Sequence, residues 1–520
     1  MKQMWTKVLC CLLVVVMLVA GLVSCTEKEK EHPNTTDDGT TPNEVTLDPN
    51  SEEAKLLPAE EDLGPYTYTI LAPKNEEYDL EFYITNRSDH QNHVVSSALY
   101  AREQLMFDRY HVEMRLLMPE NPLTTLRQYS MNGDYYCDAS MLWCYEMFSA
   151  AQEGFLVNLL DHDDQLNLSA SYWDQNIQEQ YRVNDMLFCL EGDYSIYDEM
   201  LTMVIVYNQT VYRKNNLDEK YGSLNTLVKE KKWTYSTMME MIKGLGRDSN
   251  GDGVYDERDE WGLVTEVMGP YYFFLGCGLR PISNNNGVLT NNLRDDGKYQ
   301  QIYDIVEKIY GETGISNKNP DVLIADVNKD VSHIAAGDIW GAASDVFKYD
   351  RALFRSTAMK TIFRLDDMES EYGLLPIPML LDGQTEYHTM TNGLGIMPLT
   401  ISRYAKDLDK ALKITERLAY HSRYGNNTLY QALYDHLNYN RLGKTKEDVE
   451  TLETLFASKY YDIDSTLSMT GLEATIRDMV KKGSVSPLAS TIKDIADRSE
   501  TQVGKLVENL EKGFSGQRSQ

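Results

Sequence analysis

The chain of 520 residues carries 80 acidic against 50 basic side chains, a formal net charge of -30 at pH 7. Such a charge argues against a nucleic-acid partner and against adsorption to anionic lipid, since both would be repelled. It suits an exported protein that takes a neutral or cationic solute.

The N-terminus reads as a secretory signal over residues 1–24. Lys2 and Lys7 give a positive start, an apolar run follows from Val8 to Val23, and the run ends in Leu22-Val23-Ser24-Cys25. A charged region, a short apolar region and a small residue before the cut are the parts of a signal peptide. The run is short for a spanning helix. Its ending resembles the bacterial lipobox, which implies lipidation at Cys25 and an extracytoplasmic protein anchored to the cell membrane by its lipid, palmitate included. Residues 25–63 are rich in Glu, Asp, Thr, Asn and Pro with almost no aromatics. Such a segment buries too little apolar surface to offset its ordering entropy and reads as an acidic flexible tether.

From Tyr66 the pattern changes. Tyr66–Leu71 reads as a strand, Val94–Tyr110 carries Val95, Ala98, Leu99, Leu105 and Met106 at helical spacing, and His111–Met118 alternates again. A helix near Leu123–Tyr129 and a strand over Cys137–Trp143 follow. Strand-helix-strand order predicts an α/β fold with a parallel, doubly wound sheet. Ligands bind such sheets outside the carboxyl ends of the strands, which points to Trp143, Tyr145 and Glu146. The remaining length exceeds what one core supports, so at least two lobes are expected. Helices are expected at Leu408–Tyr420, Lys446–Phe456, Leu472–Lys481 and Ser490–Phe514. Once Cys10, Cys11 and Cys25 are set aside, Cys137, Cys144, Cys189 and Cys277 remain in apolar company with no metal spacing. They read as buried thiols, with one or two disulfides as the alternative.

The segment Asp248-Ser249-Asn250-Gly251-Asp252-Gly253-Val254-Tyr255-Asp256-Glu257-Arg258-Asp259 has the spacing of a calcium loop. Side-chain oxygens fall at Asp248, Asn250, Asp252, Asp256 and Asp259, and Val254 offers its carbonyl. Gly253 stands where the turn needs positive φ. Asp259 replaces the usual Glu. A structural Ca²⁺ is expected, against a turn that binds nothing. Thr234 is placed to cap the preceding helix, with Met238, Ile242 and Leu245 on its buried face.

Enzyme motifs fail. Gly276-Cys277-Gly278 starts a dinucleotide loop but Pro281 takes the third Gly position, and Gly443-Lys444-Thr445 ends a phosphate loop whose first Gly position is Asn438. A pair of acids in a cleft is weak evidence in a chain this acidic. No catalytic residue is assigned.

Taken together, several segments resemble the extracellular solute-binding lipoproteins of ABC importers, family 1, of the carbohydrate type. They are Leu142-Trp143 with Gly154-Phe155-Leu156-Val157-Asn158-Leu159, Tyr172-Trp173, Val206-Tyr207-Asn208, Trp233-Thr234 with the acidic loop and Glu260-Trp261-Gly262, Ala336-Gly337-Asp338, and Glu371-Tyr372-Gly373-Leu374-Leu375-Pro376-Ile377-Pro378. The resemblance runs from Tyr66 to Phe514. It implies a two-lobe periplasmic-binding-protein-like fold with a hinge and a helical C-terminal region. Lobe one would be 64–182 and 374–420, and lobe two 183–373 and 421–520. It also implies capture of a solute between the lobes, delivery to ABC permease subunits, and no catalysis. By analogy with the family, Trp143, Glu146, Tyr271, Tyr272, Trp340 and Asp345 would line the ligand site. The 35 Tyr and 6 Trp suit a sugar, whose C–H faces pack on rings while its hydroxyls need fixed partners. A glycan-acting enzyme, or a sensor or adhesion lipoprotein on the same fold, are the alternatives.

Overall fold

The computed structural model describes residues 48–74, 80–85, 93–313, 319–325, 339–365, 367–381, 383–393, 395–439, 442, 444–482 and 488–518. The signal segment 1–24 and Cys25 lie outside the described residues. Met1–Lys55 and Leu56–Gln520 are separate units. The described part of the first holds the short helix Glu52–Lys55, started by Ser51 Oγ accepting from the Ala54 N–H at 3.1 Å. The second unit reaches back beyond the expected start at 64. Leu63 is 1% exposed and donates its N–H to the Tyr110 carbonyl, so it belongs to the fold rather than to the tether.

Thirteen strands are described. They are β1 (Tyr66–Leu71), β2 (Val112–Leu117), β3 (Ala139–Met141), β4 (Met203–Asn208), β5 (Trp261–Glu266), β6 (Ile282–Asn285), β7 (Val288–Asn291), β8 (Val322–Ala325), β9 (Ala352–Ala358), β10 (Tyr372–Leu375), β11 (Thr389–Met390), β12 (Leu399–Ile401) and β13 (Lys459–Tyr460). The first sheet has the order β12-β3-β1-β2. As expected, β1 lies parallel to β2 and to β3, with Tyr66 opposite Val112 and Ile70 opposite Ala139. Helices Val94–Tyr110 and Pro122–Ser130 make the crossovers that parallel pairing needs. His111 is not the first strand residue. It takes the left-handed conformation (φ 53°) that closes helix Val94–Tyr110, its N–H bonding to the Met106 and Phe107 carbonyls. β3 is shorter than its sequence suggests, because Trp143 is already the N-cap residue of helix Cys144–Gln152.

The second sheet has the order β10-β4-β9-β5-β8. β9, β5 and β8 run parallel, while β4 is antiparallel to both β9 and β10. The sheets are therefore mixed rather than all parallel. β12 also joins β3 antiparallel. The chain passes from the first sheet to the second between Met141 and Met203, and back between Leu375 and Leu399. The α/β class and the helical C-terminal region agree with expectation.

One apolar cluster surrounds the first sheet, with Tyr68, Leu71, Val112 and Met141 at 0% exposure, and continues onto Val204, Val264 and Ala352 of the second. The other cluster uses the alternate side chains of the second sheet, including Ile205, Leu263, Leu353 and Leu375. Two fully buried indoles find partners for their polar ends. Trp173 donates Nε1–H to Leu166 O at 2.8 Å, and Trp233 to Pro376 O at 2.8 Å. The four cysteines are free and buried. Burial raises each thiol above its ordinary value, which keeps them unreactive.

The C-terminal helices form at Leu408–Arg423, Lys446–Ala457, Leu472–Lys482 and Leu488–Arg518. Helix Leu429–Tyr439, in the part expected with lobe two, packs against Val94–Tyr110 beside the first sheet. The last helix approaches Cys144–Gln152 closely. A Cβ on Gly513 would stand 2.6 Å from the Gln152 carbonyl oxygen.

Within helix Leu408–Arg423, Glu416 Oε1 accepts from the Tyr172 hydroxyl at 2.9 Å and from Asn167 Nδ2 at 3.4 Å. Burial pushes its carboxyl up to about 7, with Tyr172, Arg417 and Asn167 acting in the opposite sense. A carboxyl that holds its proton more tightly when folded stabilises fully below its unfolded value near about 4.3, and that stabilisation is lost as pH rises through the folded value. Glu416→Gln, neutral throughout, should therefore gain on the wild type between about pH 5 and about pH 8 in urea unfolding. A constant gap would contradict this.

Candidate functional site

The two segments that link the sheets meet a third from the C-terminal region in a buried ionic cluster. Asp174 caps helix Gln175–Tyr181, accepting from Asn176 N–H at 2.8 Å. Asp198 and Glu199 lie on the short helix Tyr197–Met200 just before β4. Lys459 comes from β13, which pairs parallel with β11. Its ammonium lies 2.8 Å from Asp174, 2.5 Å from Asp198 and 2.9 Å from Glu199. The Tyr461 hydroxyl donates to Asp174 at 2.7 Å and lies 2.9 Å from Asp198. Glu191, 0% exposed, accepts from the Tyr194 hydroxyl at 2.8 Å.

One ammonium thus faces three carboxyl groups, with a fourth close by. Burial, joined by the Asp198 charge, drives Glu191 and Glu199 far above the usual carboxylate range. Burial works the same way on Asp198, but Lys459, Glu199 and Tyr461 together hold it below that range. Burial alone would lower Lys459, whereas Asp174, Asp198 and Glu199 raise it. The charge pattern that results is an Asp198–Lys459 ion pair with Glu191 and Glu199 as neutral acids, able to donate as well as accept. Strongly perturbed groups gathered at a junction of the fold mark a functional candidate.

An aromatic chain leads into the cluster. Phe148 and Tyr181 have ring centroids 5.4 Å apart, and Tyr181 and Tyr461 6.0 Å apart. Next along the chain, Asp462 caps helix Ile463–Leu467, which packs on Cys144–Gln152. Asp462 Oδ2 accepts from the Tyr271 hydroxyl at 2.6 Å, while its Oδ1 is buried without a partner.

Of the residues expected to line a ligand site, Tyr271 is thus bonded to Asp462, the residue that follows Tyr461 of this cluster. It is not an open stacking face, being 0% exposed in helix Gly269–Gly276, every residue of which is buried. Tyr272 is buried in the same helix. Trp143 is partly buried against the core at the end of β3. Glu146 stands in the first turn of helix Cys144–Gln152, its Oε2 buried without a hydrogen-bond partner, and burial raises its carboxyl against the pull of Arg127. Asp345 is half-buried in helix Ile339–Lys348, where its neighbour Ser344 accepts from the buried Arg355. The side chain of Trp340 lies outside the described residues. At the end of β5, burial pushes Glu266 up to about 7 against Arg355 and Lys360.

Asp174, Glu191, Asp198, Glu199, Lys459 and Tyr461 were not singled out from the sequence. The signal was charge in apolar company, as in Cys189-Leu190-Glu191 and Ser458-Lys459-Tyr460-Tyr461.

In the acidic loop the backbone has the turns its sequence implies, with φ 72° at Gly251 and 79° at Gly253. Asp248 accepts from the Gly251 and Gly253 N–H groups at 2.7 and 2.8 Å, Asn250 from Asp252, and Asp252 from Val254. The Asp259 carboxylate, 0% exposed, accepts from Ser249 and Asp256. The Arg258 guanidinium lies between Asp252 and Asp256. These hard oxygen donors suit calcium chemically. As the loop is folded its positive charge is Arg258's, and among the described residues no three His, Cys, Asp or Glu side chains are placed to hold a metal.

No protein-family model and no curated protein matches the chain. Among solved structures, it is similar to a maltose/maltodextrin-binding domain from Bdellovibrio bacteriovorus bound to maltotriose, at 13% identity, covering 84% of this chain and 99% of that one with a TM-score of 0.47. It is likewise similar to a maltose-bound protein of T. maritima, at 14% identity, covering 84% and 100% with a TM-score of 0.49.

Proposed function

We propose that the chain is an extracytoplasmic solute-binding protein that captures a soluble carbohydrate without altering it and delivers it to an ABC permease. The observation that carries this reading is the cluster of Asp174, Asp198, Glu199, Lys459 and Tyr461, built where the segments linking the two sheets meet. Hydroxyl-rich solutes need donors and acceptors fixed beside aromatic rings, and this cluster supplies both. Lys459 is ion-paired with Asp198, and the neutral Glu199 beside it can donate to or accept from a hydroxyl. A thermal-shift screen of mono- and oligosaccharides tests the proposal. At least one sugar should raise the melting temperature, since a ligand that binds only the native state stabilises it. Shifts from peptides alone would overturn the carbohydrate assignment.

Anchoring through a lipid on Cys25 belongs to the same proposal. Its support is the lipobox-like Leu22-Val23-Ser24-Cys25. Among the described residues no helix is long and apolar enough to cross a membrane. Cys25→Ala should shift the protein from the membrane fraction to the medium or periplasm. A variant that stays fully membrane-bound would contradict the anchor.

Calcium in the loop Asp248–Asp259 is also a proposal, resting on the donor order and on Gly253. The ion would compete with Arg258 for Asp252 and Asp256. Arg258→Ala should therefore tighten calcium binding, and Ca²⁺ should raise the melting temperature relative to chelator. Identical melting of the wild type and of Arg258→Ala, with and without Ca²⁺, would reject the metal.

A further inference from the structure

A polar cavity of about 320 Å³ opens beside β13, between helix Gln175–Tyr181, the β6-β7 hairpin and the loop carrying Glu386 and His388. Its chemistry is set by Arg280. That residue is 7% exposed, yet among the described residues no carboxylate lies within ion-pair distance of it. Its Nη1 donates to the carbonyls of Leu275 at 2.6 Å and Leu279 at 2.9 Å. Its guanidinium lies 3.5 Å from the centroid of the Tyr460 ring. These contacts fix one arm of the fork and hold the guanidinium over the Tyr460 ring. The Tyr460 hydroxyl, on a side chain also 7% exposed, is buried without a hydrogen-bond partner.

A buried cation without a counter-charge is costly, and a rigid guanidinium fork matches the two oxygens of a carboxylate. The neighbouring Lys459 cannot neutralise an anion as freely, since its ammonium is held by three carboxyl groups. Glu179 and Glu386, both exposed, also line the cavity. They oppose a second negative charge on the occupant and favour hydroxyl or ammonium groups there. The pocket therefore selects for one oxyanion rather than two.

We propose that this cavity is a binding site for a small organic monocarboxylate, held by the Arg280 guanidinium and the Tyr460 hydroxyl. The site adjoins the ion-paired cluster, whose Lys459 also lines the cavity, but its ligand is held by Arg280 and Tyr460 and its test does not depend on the carbohydrate reading. His388, which also lines the cavity, is a built-in reporter. Burial first, and the Arg280 charge second, hold its imidazole down at about 4. A bound carboxylate offsets the Arg280 charge and should move the His388 titration upward.

The test titrates the wild-type protein with lactate, pyruvate, glycerate and inorganic phosphate at constant ionic strength, by calorimetry and by NMR of labelled histidines. The expected result is saturable binding of at least one of the three carboxylates, with His388 titrating at higher pH in the complex. Arg280→Met should weaken that binding at least tenfold, and Arg280→Lys should fall between, having charge but no fork. Absence of saturable carboxylate binding would overturn the proposal, as would equal affinity in Arg280→Met. Phosphate binding more tightly than every carboxylate would overturn the assigned class. If Arg280→Met does not fold, the His388 shift in the wild type decides alone: a saturable rise supports the site and an unmoved titration refutes it.

Discussion

Replacing Lys459 with Met should cost about 3–5 kcal/mol of folding stability, the range for removing one partner of a buried ion pair. The side chain is close in volume, so the loss is electrostatic. Asp198, at 0% exposure, would be left charged with only Tyr461 and Glu199 to satisfy it. Adding Asp198→Asn should recover part of the loss, because the uncompensated charge is then gone. A double-mutant cycle measures that coupling. Glu199→Gln should melt close to the wild type at neutral pH, since burial already keeps Glu199 protonated. Equal losses in Asp198→Asn and Glu199→Gln, with no coupling to Lys459, would contradict the charge pattern assigned to the cluster.

The second large effect concerns Tyr271. Tyr271→Ala should cost about 3–5 kcal/mol, as for other large aromatic-to-Ala changes in a core. Tyr271→Phe should cost about 1–3 kcal/mol, because the Asp462 carboxylate loses a buried donor. The ring is fully buried and its hydroxyl bonds Asp462 at 2.6 Å. Urea unfolding of both variants checks the ordering. Full stability in Tyr271→Ala together with weakened ligand affinity would instead make the ring a ligand-stacking face.

Tyr271 also shows where reading the chain by local pattern stops. Pro270-Tyr271-Tyr272 looks like a ring presented to a ligand, but Gly269–Gly276 is an unbroken apolar run that packs on every side. Continuous apolarity, rather than the Pro-Tyr pair, was the signal that decided its position. Where periodicity is local and strong the reading was good. Tyr66–Leu71 and Val94–Tyr110 form as expected: the aromatic and β-branched run makes a strand buried on both faces, and 3.6-residue spacing fixes the one buried face of the helix. His111 fits the strand pattern in sequence, because a left-handed cap conformation leaves no compositional mark. The antiparallel placement of β4 and β12 was illegible for another reason. Strand direction depends on which edge the returning chain reaches, not on the residues within the strand. The ionic cluster is the extreme case. Lys459 and Asp198 stand 261 positions apart, and neither has a local motif. What local pattern does carry is charge set among aromatics, which identifies a buried ion without naming its partner.

The central claim is reversible capture of a sugar at that cluster. The most direct measurement is calorimetric titration of the wild type and of Glu199→Gln with the sugar that gives the largest thermal shift, followed by chromatography of the recovered ligand. The account predicts saturable binding, ligand recovered unchanged, and affinity at least tenfold weaker in Glu199→Gln with unchanged melting. Equal affinity in the two proteins would move the ligand away from the cluster, and release of hydrolysed product would contradict the binding-protein reading altogether.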